Sequence, residues 1–390
     1  MRRSIEAGAK EQSIMKIRAA VLEEIGRPGP YVETRPLTVC EIDLAAPSPG
    51  EVLVRIAAAG LCHSDLSVIN GDRPRPVPMV LGHEGAGVVE KVGEGVADLA
   101  PGDHVVFVFV PSCGHCGPCG TGRPALCEPG AASNGKGEML AGGTRLSRNG
   151  APIHHMTGVA SYATHAVISR RSLVKIDREL PMNVAALMGC AVLTGAGAVF
   201  NMGAVQPGGR TAIVGLGGVG LAAVLGAVAA GAETIVAVDT LESKLSLARD
   251  LGATHTFLAT DKDLVAKVKE ATSGGVDAAL EFAGSARALE GAYAMTRRGG
   301  TTITAGLPNP SAVLNISPLS LVAEERTLRG SYLGSGVPAR DIPRFLGLHR
   351  RGRLPVEKLM THRIRLEDIN EGFDRLHRGE AIRQVIEFEA

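Results

Sequence analysis

Two textures of apolar and polar positions divide the chain. Between about residues 16 and 190, short runs rich in β-branched residues are separated by Gly- and Pro-containing breaks: Lys16-Ile-Arg-Ala-Ala-Val21, Glu51-Val-Leu-Val-Arg-Ile56, Gly87-Val-Val-Glu-Lys-Val92, His104-Val-Val-Phe-Val-Phe-Val110 and Ala163-Thr-His-Ala-Val-Ile168. Runs of this kind bounded by turn residues predict strands, and the portion reads as a β-rich barrel with long loops. From about 192 to 333, apolar strands alternate with helical segments, the pattern of a parallel sheet covered on both faces. Strands are expected near 211–216, 234–239, 254–258, 277–281, 300–305 and 327–332, enough for a complete doubly wound sheet. The tail returns to a mixed pattern and is expected to pack back on the first portion. The expected division is therefore 1–191, 192–333 and 334–390, with residues 1–14 a loose extension ahead of the first strand.

Composition narrows the function. A chain of 390 residues is too long for one ordinary core. With 41 Lys+Arg against 40 Asp+Glu the surface is near neutral and has no block suited to nucleic acid or an anionic membrane, so small-molecule partners are expected. Aromatic residues make up only 3% while glycine reaches 50 residues, which favours tight turns and nucleotide-binding loops over a base-stacking platform. The start, Met1 to Lys10, lacks the apolar core of a signal peptide. The longest apolar run, Val219 to Ala232, is interrupted by Gly and shorter than the ~20 residues a bilayer requires. A cytoplasmic location without membrane contact is expected.

Cys113, Cys116, Cys119 and Cys127 follow the pattern C-x2-C-x2-C-x7-C. Four thiolates at about 2.3 Å suit a tetrahedral Zn²⁺, and the Gly-rich segment can turn its sulfurs inward around one ion. Free or disulfide-bonded cysteines are the alternative, but disulfides rarely persist in a reducing compartment. A four-thiolate site leaves no open position, so its metal would hold a loop in shape. Further on, Thr211-Ala-Ile-Val-Gly-Leu-Gly-Gly-Val-Gly220 puts Gly215, Gly217 and Gly220 in G-x-G-x-x-G between a strand and an apolar helix. The first Gly permits the turn, the second lets backbone approach a pyrophosphate, and the third allows close helix–strand contact. The helix start, at Gly218 and Val219, then offers free N–H groups to phosphate. Asp239 ends the next strand, 24 residues after Gly215, where a carboxylate accepts both ribose hydroxyls of NAD and repels the 2′-phosphate of NADP. Asp239 can equally cap the helix from Leu241 onward, and Lys244 one turn later complicates the charge argument.

A second metal set must come from distant residues: Cys62 in Gly60-Leu-Cys-His-Ser-Asp65, His83 and Glu84 in Gly82-His-Glu-Gly-Ala-Gly87, and Cys190 in Gly189-Cys-Ala-Val-Leu-Thr-Gly195. Two cysteines and one histidine can hold a catalytic zinc with its fourth position open, although a buried cysteine also occurs as inert packing. Together with the four-cysteine loop, the GLGGVG turn and Ile382-Arg383, these motifs resemble the zinc-dependent medium-chain alcohol dehydrogenases over nearly all of residues 16–390. Within that family the chain resembles the long form with two zincs, both class III glutathione-dependent formaldehyde dehydrogenase and bacterial alcohol dehydrogenases of similar length.

The resemblance implies a GroES-like β-barrel catalytic domain joined to a Rossmann domain, hydride transfer between an alcohol and NAD⁺, two zincs per chain and a homodimer, with a tetramer as alternative. It implies that Cys62, His83 and Cys190 bind catalytic zinc, that Glu84 can approach the metal during ligand exchange, that Asp65 orients His83, and that Ser64 accepts the substrate hydroxyl proton. Thr194 and Val219 match positions beside the nicotinamide, His63 and Arg383 match pyrophosphate contacts, and Phe109 and Tyr162 match the pocket wall. On residue type alone, Ser64 reads as a loop cap and Arg383 as a surface charge. Three positions depart from the family. Ser67 stands where many members continue a proton relay with His, and Arg73 and Ala131 stand where class III enzymes hold glutathione with an acid and an Arg, although Arg73 or Lys136 could compensate. A plain primary or aromatic alcohol is expected, with S-(hydroxymethyl)glutathione as alternative. A non-catalytic nucleotide-binding relative is opposed by Cys62, His83, Cys190 and Ser64, and the zinc-free quinone reductase branch by both ligand sets. Cys40 is expected to be a packed or partly exposed thiol, His154-His155 a surface or loop pair, and residues 300–317 an apolar edge for pairing.

Overall fold

The computed structural model describes residues 14–389; the expected extension lies almost wholly outside them. Strands Ile14–Leu22, Leu37–Ala45, Leu146–Arg148, Ala151–His155 and Met79–Val80 close a barrel. Beside it, a seven-stranded sheet is built around Glu51–Gly60, whose Val52, Val54 and Ile56 alternate into the core between the more open Leu53 and Arg55. That period of two is the strand signature. The tail contributes Met360–Ile364 and Arg383–Glu387 to this sheet, the latter pairing antiparallel with Glu51–Gly60 through Val385 opposite Gly60. Arg383 is thereby brought alongside the segment that leads into Cys62.

The second portion is a six-stranded parallel sheet in the order His255–Leu258, Thr234–Asp239, Arg210–Val214, Val276–Glu281, Thr296–Thr304, Thr327–Gly330. This is the doubly wound order, with the first strand central. Successive residues of its strands enter different cores: Ala212, Val214, Val236 and Val238 pack on one face, Ile213, Ala237 and Leu280 on the other. Coverage on both faces explains why these strands read as continuous apolar runs.

Three expectations change. The residues expected to form an edge do not: Thr296–Thr304 pairs on both sides, and the edge strand is Thr327–Gly330, because the sixth strand adds outside the fifth. The longest apolar helix is not in Val219–Ala232 but spans Met182–Asn201. It is long and apolar enough to cross a membrane by length and composition, yet 83% of its apolar window is buried in the fold. The 191/192 division falls inside it. Finally, His154 and His155 end a barrel strand, and His155 is fully buried with Nε2 accepting the Arg145 N–H at 2.9 Å. Burial, then the nearby Arg145 charge, pushes its pKa down to about 3, so it is a neutral core histidine.

Candidate active site and metal centres

Cys62 follows the strand Glu51–Gly60 and stands at the N-terminus of helix His63–Ile69. His83 and Glu84 follow the short strand Met79–Val80, and Cys190 lies in the π-helical turn Met188–Val192 of the long apolar helix. Such a turn widens a helix locally and is frequent at functional sites. Glycines let these pieces converge. Gly82 has φ +92° and its missing Cβ leaves room for Ser161 and Tyr162, while a Cβ on Gly189 would overlap the Phe107 carbonyl. The ligand atoms of Cys62, His83, Glu84 and Cys190 lie within 4.8 Å of one another, and all four residues are buried.

The histidine is aimed. Its Nδ1 faces Asp65 Oδ2 at 3.1 Å, leaving Nε2 3.4 Å from Cys190 Sγ and 3.9 Å from Glu84 Oε1. Asp65 is itself fixed: Oδ1 accepts the Gly82 N–H at 3.0 Å and Oδ2 accepts the Tyr162 O–H at 2.9 Å. Tyr162, expected on the pocket wall, is therefore a fully buried support behind the ligands. The hydrogen bond from Cys190 drives Cys62 well below the usual thiol range, against the effect of burial and with help from the His83 charge. Burial opposes a charge on His83, but Asp65 and Cys62 outweigh it and raise that imidazole to about 10. A buried pocket that attracts positive charge this strongly, and in which Glu84 Oε1 has no hydrogen-bond partner among the described residues, fits a divalent cation. Replacing Asp65 by Asn is expected to lower zinc affinity at this centre by about 10- to 100-fold, measured by chelator competition, since partners that orient a ligating histidine typically have that effect.

Cys113, Cys116, Cys119 and Cys127 also bring their sulfurs within 4.8 Å of one another. Backbone N–H groups already point at the sulfurs: Cys113 and Gly130 donate to Cys127 Sγ at 3.2 and 3.4 Å, and Cys116 donates to Cys113 Sγ at 3.3 Å. Hydrogen bonds from the His115 and Cys116 backbone hold the Cys113 thiol down at about 6, whereas burial pushes Cys119 up to about 12. Four converging thiols with donors aimed at them suit a closed Zn²⁺ site.

The glycine turn lies beside the first centre. Gly215 has φ +89°, a Cβ on Gly220 would overlap the Gly215 carbonyl, and Gly217 has open space where a ligand could approach. Gly217 is the cap of helix Gly218–Ala229 and provides no side chain to satisfy its first N–H groups. Asp239 Oδ2 accepts the Leu216 N–H at 2.7 Å and Oδ1 the Leu241 N–H at 3.1 Å, with Lys244 Nζ at 3.9 Å from Oδ1. The carboxylate thus supports the glycine turn and the approach to the next helix, whose cap is Leu241 and carries no side-chain cap bond. Arg383 pairs with Glu84, and a Cβ on Gly218 would overlap its Cδ, so this side chain spans from the metal ligands to the helix N-terminus and is buried rather than a surface charge. Thr194 lies on the long helix where Gly195 lets it approach the Val219 carbonyl. The surrounding protein holds the His63 pKa down, opposed by the Cys62 charge and aided by those of Lys244, Arg383 and His377. Ser64 is partly exposed at the start of the Cys62 helix.

Phe109 meets the edge of His83 at 5.4 Å, as a pocket wall should, and meets Tyr332 at 5.9 Å. The sequence reading missed Tyr332. It follows the C-terminal end of a parallel strand, the side of such sheets that binds ligands, which is the signal that could have found it. Cys40 is partly exposed, as expected. An open groove of about 860 Å³ runs along Ser169–Lys175 and includes none of these site residues.

A GroES-like barrel and a doubly wound sheet that meet at a Cys2His centre, with a four-thiolate lobe nearby, define the architecture of a zinc-dependent dehydrogenase. Residues 48–178 match the alcohol dehydrogenase GroES-like domain family and residues 218–350 the zinc-binding dehydrogenase family. Over 376 residues the chain is 41% identical to the NDMA-dependent alcohol dehydrogenase of Amycolatopsis methanolica, covering 95% of this chain and 99% of that one. It is 38% identical to the S-(hydroxymethyl)glutathione dehydrogenase of Synechocystis sp., covering 96% and 100%. The crystal structure of benzyl alcohol dehydrogenase from Acinetobacter calcoaceticus superposes with a TM-score of 0.90 at 33% identity, covering 96% of this chain and 100% of that chain. The chain belongs to the zinc-dependent medium-chain alcohol dehydrogenases. It is an oxidoreductase with the zinc-binding dehydrogenase domain.

Proposed function

We propose that the protein reversibly oxidises a primary alcohol to its aldehyde with NAD⁺, with Cys62, His83 and Cys190 holding the catalytic zinc and Cys113, Cys116, Cys119 and Cys127 a second, structural one. The observation that carries this reading is the convergence of Cys62, His83 and Cys190 beside the Gly218 helix start, linked through Glu84 and Arg383. When bound, zinc supplies a Lewis acid that acidifies the alcohol and polarises the aldehyde, while NAD⁺ accepts the hydride. The alcohol loses one hydride and one proton. Ser64 receives the proton and releases it to solvent, because Ser67 offers no titrating base and its hydroxyl donates to the His63 carbonyl at 2.8 Å. Arg383, His63 and the Gly215–Gly220 turn receive the pyrophosphate; Thr194 and Val219 flank the nicotinamide.

Asp239 favours NAD because its buried carboxylate lies where the ribose hydroxyls bind and would repel a 2′-phosphate. Asp239→Ala is expected to narrow the ratio of kcat/KM for NAD over NADP by roughly tenfold or more; a parent enzyme that prefers NADP would contradict this assignment. The relay and cofactor roles are tested together by measuring NADH formation with benzylic, short aliphatic and long aliphatic alcohols, and with formaldehyde plus glutathione. The half-buried Arg73 keeps the glutathione adduct as a second reading, while the exposed Ala131 counts against it.

A homodimer fits the exposed apolar residues near the sheet edge, with Val313, Leu319 and Val322 at 71, 72 and 78% exposure and the strand Thr327–Gly330 unpaired on its outer side among the described residues. Such edges favour pairing. Sedimentation at micromolar concentration is expected to give a dimer, with a tetramer as the alternative; monomer alone would refute both.

A further inference from the structure

Two buried carboxylates, Asp239 and Glu281, end strands of the parallel sheet on its ligand-binding side. A doubly wound sheet has two mononucleotide-binding halves, and Asp239 marks the adenosine half. The nicotinamide therefore falls to the other half, the strands Val276–Glu281, Thr296–Thr304 and Thr327–Gly330. The metal centre lies toward that half as well, since Tyr332, just beyond Thr327–Gly330, meets Phe109, and Phe109 meets His83. Glu281 ends the strand that pairs with Arg210–Val214. Its Oε1 accepts the Gly284 N–H at 2.6 Å and its Oε2 the Thr304 O–H at 2.7 Å, while its carbonyl accepts the Ala305 and Gly306 N–H groups at 2.9 and 3.1 Å. The next residues touch the glycine turn: Phe282 N–H donates to the Val214 carbonyl at 2.8 Å, and a Cβ on Gly215 would overlap Ala283. One side chain thus joins the turn after its own strand to the end of the neighbouring strand.

Both oxygens of Glu281 accept hydrogen bonds, as those of an anion do, and among the described residues no Lys, Arg or His pairs with it. Burial raises its pKa, opposed by the Thr304 hydroxyl and then by the Gly284, Ser285 and Ala283 N–H groups. An unpaired buried charge is costly, whereas an uncharged amide can make the same two contacts. The charge itself therefore needs a reason, and the coenzyme supplies one. NAD⁺ and NADH differ in the nicotinamide ring, which is cationic in the first and neutral in the second. We propose that the Glu281 carboxylate sets the enzyme's selectivity between the two redox states of its coenzyme, its fixed negative charge behind the nicotinamide half of the crevice favouring NAD⁺ over NADH. This rests on the NAD-binding reading given under the proposed function. Glu281 is a positioning residue for the Gly284 turn and for Thr304, and its charge adds a differential interaction that those contacts alone do not provide. Inside the protein such a charge is weakly screened and acts over more than contact distance.

The test is calorimetric binding of NAD⁺ and of NADH to the zinc-loaded enzyme and to Glu281→Gln, with melting curves to establish that the variant is folded. The Gln carbonyl oxygen still accepts the Gly284 N–H and its amide N–H donates to the Thr304 oxygen, so the substitution removes charge and keeps the contacts. The dissociation constant of NAD⁺ is expected to rise about tenfold while that of NADH changes by less than about twofold, the scale of one buried unit charge acting through protein. Glu281→Asp, which keeps the charge but shortens its reach, should weaken both coenzymes together and preserve the parent's ratio. Glu281→Met is the second uncharged variant, and its ratio should shift in the same direction as that of Gln. Equal weakening of NAD⁺ and NADH in the uncharged variants would reduce Glu281 to its contacts and overturn the proposal. A ratio unchanged in whichever uncharged variant folds would overturn it too, leaving the NAD reading intact. Binding of neither coenzyme to the parent would instead overturn the NAD reading itself.

Discussion

Cys62→Ala or Cys190→Ser is expected to reduce alcohol-dependent NADH formation by roughly 10³-fold or more, while the variant remains folded and binds NADH. The loss is large because a Lewis acid at the reacting oxygen contributes several kcal/mol that no side chain here replaces. Each cysteine is one of three soft or borderline donors that converge in a buried pocket, and removing either leaves His83 with one thiol and Glu84, a set poorly matched to a tetrahedral zinc. Coenzyme binding should survive because the Gly215–Gly220 turn and Asp239 are built on the parallel sheet, one face of which packs in a core that contains neither Cys62 nor Cys190. Metal analysis should fall from about two zincs per chain to one, and calorimetry with NADH should remain close to the parent. Full activity in either variant would remove these cysteines from the reaction.

Cys116→Ser should act in the opposite way, lowering zinc content by one and the melting temperature by on the order of 10 °C, with little change in preference among alcohols. The physical reason is the small core of this lobe. Between Ser112 and Glu128 only Cys113, Ala125 and Cys127 are buried, so apolar packing is sparse around the turn and a bound metal would contribute the missing folding energy. The substituted side chain keeps the size of the thiol, which isolates loss of a ligand from creation of a cavity. A melting curve unchanged after loss of that zinc would count against a structural role.

The legibility of these two centres differed for a physical reason. The four-thiolate lobe is local in sequence, so its spacing alone predicts convergence. The other centre depends on the barrel, on a tail strand that returns Arg383 to Gly60, and on a π-helical turn at Cys190. The helix from Met182 to Asn201 contains Gly189, Gly195 and Gly197 and several β-branched residues, which weaken its local signal. Tertiary packing, including the approach of Gly195 to Val219, overrides that propensity. The sheet strands were readable because double-sided burial makes them apolar throughout. The edge was misplaced because Thr296–Thr304 and Thr327–Gly330 carry similar polar content, and sequence does not reveal which one has a neighbour on both sides. Resemblance supplied the role of Asp65, but its Tyr162 support and the Phe109–Tyr332 wall emerge only when distant segments meet.

The most direct test of the central claim is NADH formation by protein containing two zincs per chain, given a primary alcohol and NAD⁺ with no glutathione present. The account predicts steady turnover that disappears in Cys190→Ser and persists at the parent's substrate preference in the surviving activity of Cys116→Ser. Turnover confined to formaldehyde plus glutathione, or plain-alcohol turnover retained after loss of Cys190, would contradict it.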